Sequence, residues 1–103
     1  MAHLVPFRVR ADSIVVAKAA IEAFIAKIER NEPDTLIYRS YRDEKDPLSF
    51  VHYMLFKDAA AQAKHRGSDY CAEFVKTLYP CCEQKPRPVN LALFREAAVG
   101  AEI

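Results

Sequence analysis

Between Ser49 and Ser68 the chain changes its hydrophobic period within a single residue. Ser49 to Phe56 alternates and is rich in β-branched and aromatic side chains, the pattern of a half-buried strand, and Asp58 then opens a run that reads as a helix. A strand thus feeds a helix through Lys57 alone. The helix stops at His65-Arg66-Gly67, with two basic side chains in its last turn and a glycine expected to turn the chain left-handed. His52 and His65 therefore fall on consecutive elements, and they are two of only 3 histidines in the sequence. Proton transfer near neutral pH is expected to run through one of them, because imidazole is the side chain that ordinarily titrates there.

The flanking segments supply the rest of a small α+β domain. Val5, Phe7 and Val9 alternate with Pro6, Arg8 and Arg10 in a first strand from His3 to Arg10, and Pro6 places an edge or an irregular pairing at that end. Asp12 or Ser13 is expected to cap a helix in which Ala17, Ile21, Phe24 and Ile28 form one apolar stripe. Asn31-Glu32-Pro33-Asp34 ends that helix in a turn. A second strand, Thr35 to Arg42, puts Leu36, Tyr38 and Ser40 on one face, and the short charged connection before Ser49 implies a hairpin with the third strand. Ser68 caps a further helical run with Cys71, Phe74, Val75 and Leu78 at helical spacing, which Tyr79-Pro80 terminates. Val89 to Phe94 returns to strand character and is expected to close the sheet, with residues 96–103 as a tail.

The order β-α-β-β-α-β is that of a ferredoxin-like fold with an antiparallel sheet, filling residues 1–103 as one domain. Helices cover one sheet face. The other carries apolar and aromatic residues, and a second copy stacked sheet to sheet would bury it, so a homodimer in the form of a dimeric α/β barrel is expected. A hydrophobic content of 51% in 103 residues points the same way.

Charge and cysteine usage narrow the function. A net charge of +1 from 15 basic and 14 acidic residues, without a basic stripe, argues against nucleic acid as a partner. No apolar run approaches the roughly 20 residues that cross a bilayer, and the N-terminus lacks a signal-like pattern, so a soluble cytoplasmic protein is expected, with no membrane partner. Cys71, Cys81 and Cys82 lack the paired spacing of a zinc site, so no metal is expected, and reduced thiols are expected in preference to a strained Cys81–Cys82 disulfide.

The segments NEPDTLIYR, FVHYMLFKDAAAQAKHRGS and FVKTLYP resemble the antibiotic biosynthesis monooxygenase family, small dimeric α/β-barrel proteins that include quinol monooxygenases. The H-x-x-S ending of the second segment, His65 to Ser68, is its most telling part. Asp34 stands where the family usually has glycine, and Met54 stands near a strand position where many members carry glutamate. The resemblance implies oxidation of a quinol or polycyclic phenol by molecular oxygen without a metal, flavin or haem cofactor. It also places His65 at the family's histidine position. Haem-degrading relatives of the fold use a tryptophan near their histidine, and this chain has none.

Such chemistry needs a base to make an electron-rich anion, and donors to receive the charge. His65 is the first candidate base and His52 the second. Tyr38, Tyr53 and Asn90 are candidate donors to a substrate oxygen, and Phe7, Phe24, Met54 and Phe56 are candidate apolar walls. Each has a plainer reading: His65 complements a helix dipole, His52 bonds a neighbour on its strand, and the aromatic set is core. A non-catalytic dimeric module that binds a small apolar ligand or a partner protein would use the same scaffold.

Overall fold

The computed structural model describes residues 1–97 of the chain. Its elements are β1 (Ala2–Val9), α1 (Ile14–Asn31), β2 (Thr35–Arg42), β3 (Ser49–Phe56), α2 (Ala59–Arg66), α3 (Asp69–Leu78), β4 (Cys82–Gln84) and β5 (Val89–Leu91), with single 3-10 turns before α1 and after α3. The sheet runs β2-β3-β1-β4, β5 also pairs with β1, and every pairing is antiparallel. This is the ferredoxin-like arrangement that the alternation and helical spacing predict. The expected tail lies, beyond residue 97, outside the described residues.

The fourth sheet position differs from expectation. In place of one strand from Val89 to Phe94, two three-residue strands share the edge of β1: Cys82 pairs with Val9 and Gln84 with Arg8, while Val89 pairs with Leu4 and Leu91 with Ala2. Pro86 and Pro88 lie between them and have no N–H to donate, so a continuous ladder cannot form there. Pro6 of β1 sits opposite this gap, and its carbonyl accepts from Arg87 N–H at 3.2 Å. Leu93 and Phe94 lie past the end of β5 and are 78% and 99% exposed.

Local signals are honoured with three corrections. Asp58 Oδ1 accepts from Ala61 N–H at 2.8 Å and Ser68 Oγ from Cys71 N–H at 3.2 Å, so both expected caps form. Neither Asp12 nor Ser13 caps α1, because the Ser13 hydroxyl is turned to the Asp12 carboxylate at 2.9 Å within the preceding 3-10 turn. Gly67 is not left-handed: its φ of −89° is accessible to any residue. Ser68, extended at ψ 151°, starts α3 at once and supplies the change of direction that a left-handed glycine would otherwise make. Leu36 is also misplaced by simple alternation. The β2–β3 register shifts between Thr35 and Ile37, which leaves Leu36 57% exposed while Tyr38 and Ser40 face the helices.

The stripe Ala17, Ile21, Phe24 and Ile28 is buried as expected. On the sheet, Phe50, His52, Met54 and Phe56 are buried and alternate with half-buried Val51, Tyr53 and Leu55 on the opposite face. Cys81 and Cys82 are buried free thiols, each donating to a carbonyl four residues back, at Thr77 and Leu78. Among the described residues no helix is long and apolar enough to cross a membrane.

Candidate functional site

The inward faces of β1, β2 and β3 meet α1, α2 and α3 around a cavity of about 290 Å³. His52, Met54 and Phe56 enter it from β3, Phe7 from β1, Tyr38 from β2, Phe24 from α1, His65 from α2 and Asn90 from β5. Of the residues singled out in the sequence, only Tyr53 lies off this lining. Strand alternation carries it to the opposite sheet face, where it pairs with Leu4 and Arg39.

His65 is 8% exposed and packed among aromatic rings, with centroid distances of 5.2 Å to Phe56, 5.4 Å to Phe24 and 5.7 Å to Tyr38. Its Nδ1 lies 3.0 and 3.2 Å from the two carboxylate oxygens of Glu32. A carboxylate can only accept, so Nδ1 is the donor, and in the neutral ring Nε2 is the nitrogen that carries the lone pair. The Ser68 hydroxyl donates to the His65 carbonyl at 2.8 Å and ties the end of α2 to the start of α3.

Glu32 was not singled out by its sequence context, which signals only a turn. It is 5% exposed at the C-terminal end of α1 and accepts from the Thr35 hydroxyl at 2.6 Å and from the Tyr70 hydroxyl as well as from His65. A buried carboxylate without partners costs several kcal/mol, and these three donors offset that cost. The Tyr70 phenol, desolvated and bound to a carboxylate, is pushed up to about 12 and stays protonated at neutral pH. Burial and the same carboxylate also raise the Cys71 thiol.

His52, 2% exposed, is fully engaged: Tyr38 OH lies 2.7 Å from Nδ1 and Ser40 Oγ 2.9 Å from Nε2. Burial lowers its pKa to about 4, so it is neutral at physiological pH. Desolvation raises the Tyr38 phenol above its ordinary value, which keeps that hydroxyl a neutral hydrogen-bonding group. Phe24 closes the far wall by stacking on Phe74 at 4.2 Å. Among the described residues no group of three or more His, Cys, Asp and Glu is gathered as a metal site. A second groove, about 510 Å³ between α1 and α3, has no histidine in its lining.

Residues 4–77 match the sequence profile described as antibiotic biosynthesis monooxygenase. The chain belongs to this family. Antibiotic biosynthesis monooxygenase relatives also share its fold. A crystal structure bearing the family's name is 22% identical, covers 92% of this chain and 100% of its own, and has a TM-score of 0.82. A Mycobacterium tuberculosis protein is 22% identical over 94% of this chain and 97% of its own, with a TM-score of 0.83. A Nitrosomonas europaea protein assigned provisionally to the same family is 19% identical over 91% and 98%, also with a TM-score of 0.83. At these identities the structural likeness establishes the fold. No curated protein matches the chain in sequence. The match covers β1 through most of α3, and so contains His52, Glu32 and His65.

Proposed function

We propose that this member of the family is a cofactor-independent monooxygenase acting on a quinol or polycyclic phenol, with His65 as the general base. The observation that carries this reading is the buried Glu32–His65 pair at the wall of an apolar cavity, in which Nδ1 donates to the carboxylate and Nε2 is the nitrogen left to meet a substrate. Nε2 takes the phenolic proton, and Glu32 balances the imidazolium that forms. The electron-rich anion reduces molecular oxygen: one oxygen atom enters the substrate, the other leaves as water, and the substrate supplies all four electrons. Phe7, Phe24, Met54 and Phe56 exclude water from the anion, while Tyr38 and Asn90 are hydrogen-bonding groups within reach of the same space. His52, already bonded at both nitrogens and held neutral, orients Tyr38 and does not serve as the base in this scheme.

We further propose that the protein works as a homodimer. Leu4, Val51, Tyr53 and Leu55 form a half-buried apolar surface on the sheet face away from the cavity, a surface that a second copy would cover. Tyr53 belongs to that contact in this reading, where its ring packs and its hydroxyl meets the rim.

The test is oxygen uptake by the purified protein against reduced quinols and anthrone-like phenols, corrected for autoxidation, with His65→Ala and His52→Ala alongside. Turnover abolished in the His65 variant supports the assignment. Turnover that survives His65→Ala but is lost in a folded His52→Ala variant moves the base to β3, and uptake never above autoxidation favours a module that binds without turnover.

A further inference from the structure

His3, the remaining histidine, has no part in the scheme above, yet it is 7% exposed and lines the same cavity. The β1–β5 ladder sets it directly opposite Asn90, and the side chains meet with His3 Nδ1 2.7 Å from Asn90 Oδ1. An amide oxygen accepts, so Nδ1 is the donor, and in the neutral ring Nε2 presents a lone pair. That Nε2 is buried and has no hydrogen-bond partner, alone in this among the buried side-chain nitrogens and oxygens of the described residues. Buried polar atoms are nearly always paired, so an unpaired one on a residue that lines a cavity calls for a partner, and a ligand hydroxyl is one that would satisfy it. The ring of Phe56 packs near both imidazoles, its centroid 5.7 Å from that of His3 and 5.2 Å from that of His65.

We propose that His3 is a substrate-binding residue whose Nε2 accepts a hydrogen bond from a ligand hydroxyl remote from the one at His65, which makes the cavity selective for arenes of one or two rings with hydroxyls at opposite ends. The proposal rests on the reading of His65 as the group that meets the first hydroxyl. Asn90 is then a positioning residue that sets the tautomer of His3. The volume of about 290 Å³, at the small end of ligand pockets, suits an arene of that size.

The probes are 2,6-dihydroxynaphthalene and 6-methoxy-2-naphthol, titrated anaerobically by calorimetry into the full chain as wild type, His3→Phe and His3→Gln. The methyl ether keeps one hydroxyl and loses the second donor. Wild type is expected to bind the diol about tenfold more tightly than the ether, the worth of one hydrogen bond. His3→Phe should abolish that preference, and His3→Gln, whose side-chain oxygen takes the place of Nε2, should retain it. Imidazole 15N spectra of the wild type give a readout independent of any variant's folding: His3 Nε2 should be unprotonated and should shift on adding diol but not ether. Equal affinities in wild type, no binding of the diol, an unmoved Nε2 signal, or a preference that persists in His3→Phe would each overturn the proposal. Discrimination without oxygen uptake by any phenol leaves it standing and removes the monooxygenase reading. Oxygen uptake with equal affinities does the reverse.

Discussion

The Glu32 carboxylate accepts from Nδ1 of His65 at 3.0 Å, joining the end of α1 to the last turn of α2 across 33 positions of sequence. One contact thus sets the tautomer of the proposed base and satisfies a buried charge. Replacing Glu32 by Gln keeps the shape and removes the charge, so oxygen uptake at saturating phenol should fall by about tenfold or more, against about 100-fold or more for His65→Ala. Tyr70→Phe should cost less, because Thr35 and His65 still hold the carboxylate. Steady-state rates, with melting curves to show that each variant is folded, decide this. An undiminished rate in Glu32→Gln would separate the pair from the chemistry.

His52 predicts a pH dependence of stability. Unfolded, it takes a proton near its ordinary value of 6.5, and folded it does so only at about 4, because burial disfavours the charge. Between those values the unfolded chain binds more protons than the folded one, so stability falls as pH drops from 6.5 and the loss is complete below 4. The full effect is at most about 3 kcal/mol. Urea titrations across this window should show the slope in wild type and its loss in His52→Gln. A flat wild-type profile would mean that His52 is more hydrated than its packing indicates.

The same residue makes Tyr38 a stability determinant. Tyr38→Phe keeps the ring against Phe24 and leaves Nδ1 of His52 without a partner, which should cost about 1–3 kcal/mol. Ser40→Ala removes the other partner at 2.9 Å and should cost a similar amount. If the double variant costs less than the sum, His52 has rotated or recruited a solvent partner, which a urea-based double-mutant cycle reveals.

The outward sheet face predicts the assembly state. Sedimentation equilibrium should give a dimer for wild type and a monomer for Val51→Glu or Tyr53→Lys, since a charge on a buried apolar contact is left unpaired. The cavity face should be unaffected, so the pH slope assigned to His52 should survive in both variants. A wild-type monomer at micromolar concentration would rule out the homodimer.

Part of the site was visible in the pattern of residues. Alternation from Ser49 to Phe56 puts His52, Met54 and Phe56 on one face, and that face does line the cavity. Tyr53 could have been assigned to the other face by the same rule. His3 shares the inward parity of Val5, Phe7 and Val9, so the period of two was the signal that would have found it. Glu32 and Tyr70 carried no such signal: a glutamate beside a proline reads as turn, and nothing local shows that the turn is buried.

The sequence by itself determined the three helices and the first three strands in their order, the caps at Asp58 and Ser68, the apolar stripe of α1 and the two faces of β3, because propensity, capping and periodicity act within a few residues. Tertiary structure alone decided that Glu32 meets His65, that His52 is silenced between Tyr38 and Ser40, that His3 is paired through one nitrogen and bare at the other, and that two prolines divide the last strand around Pro6. Each of these depends on strand register and on burial from water, and both are set by contacts between segments far apart in the chain.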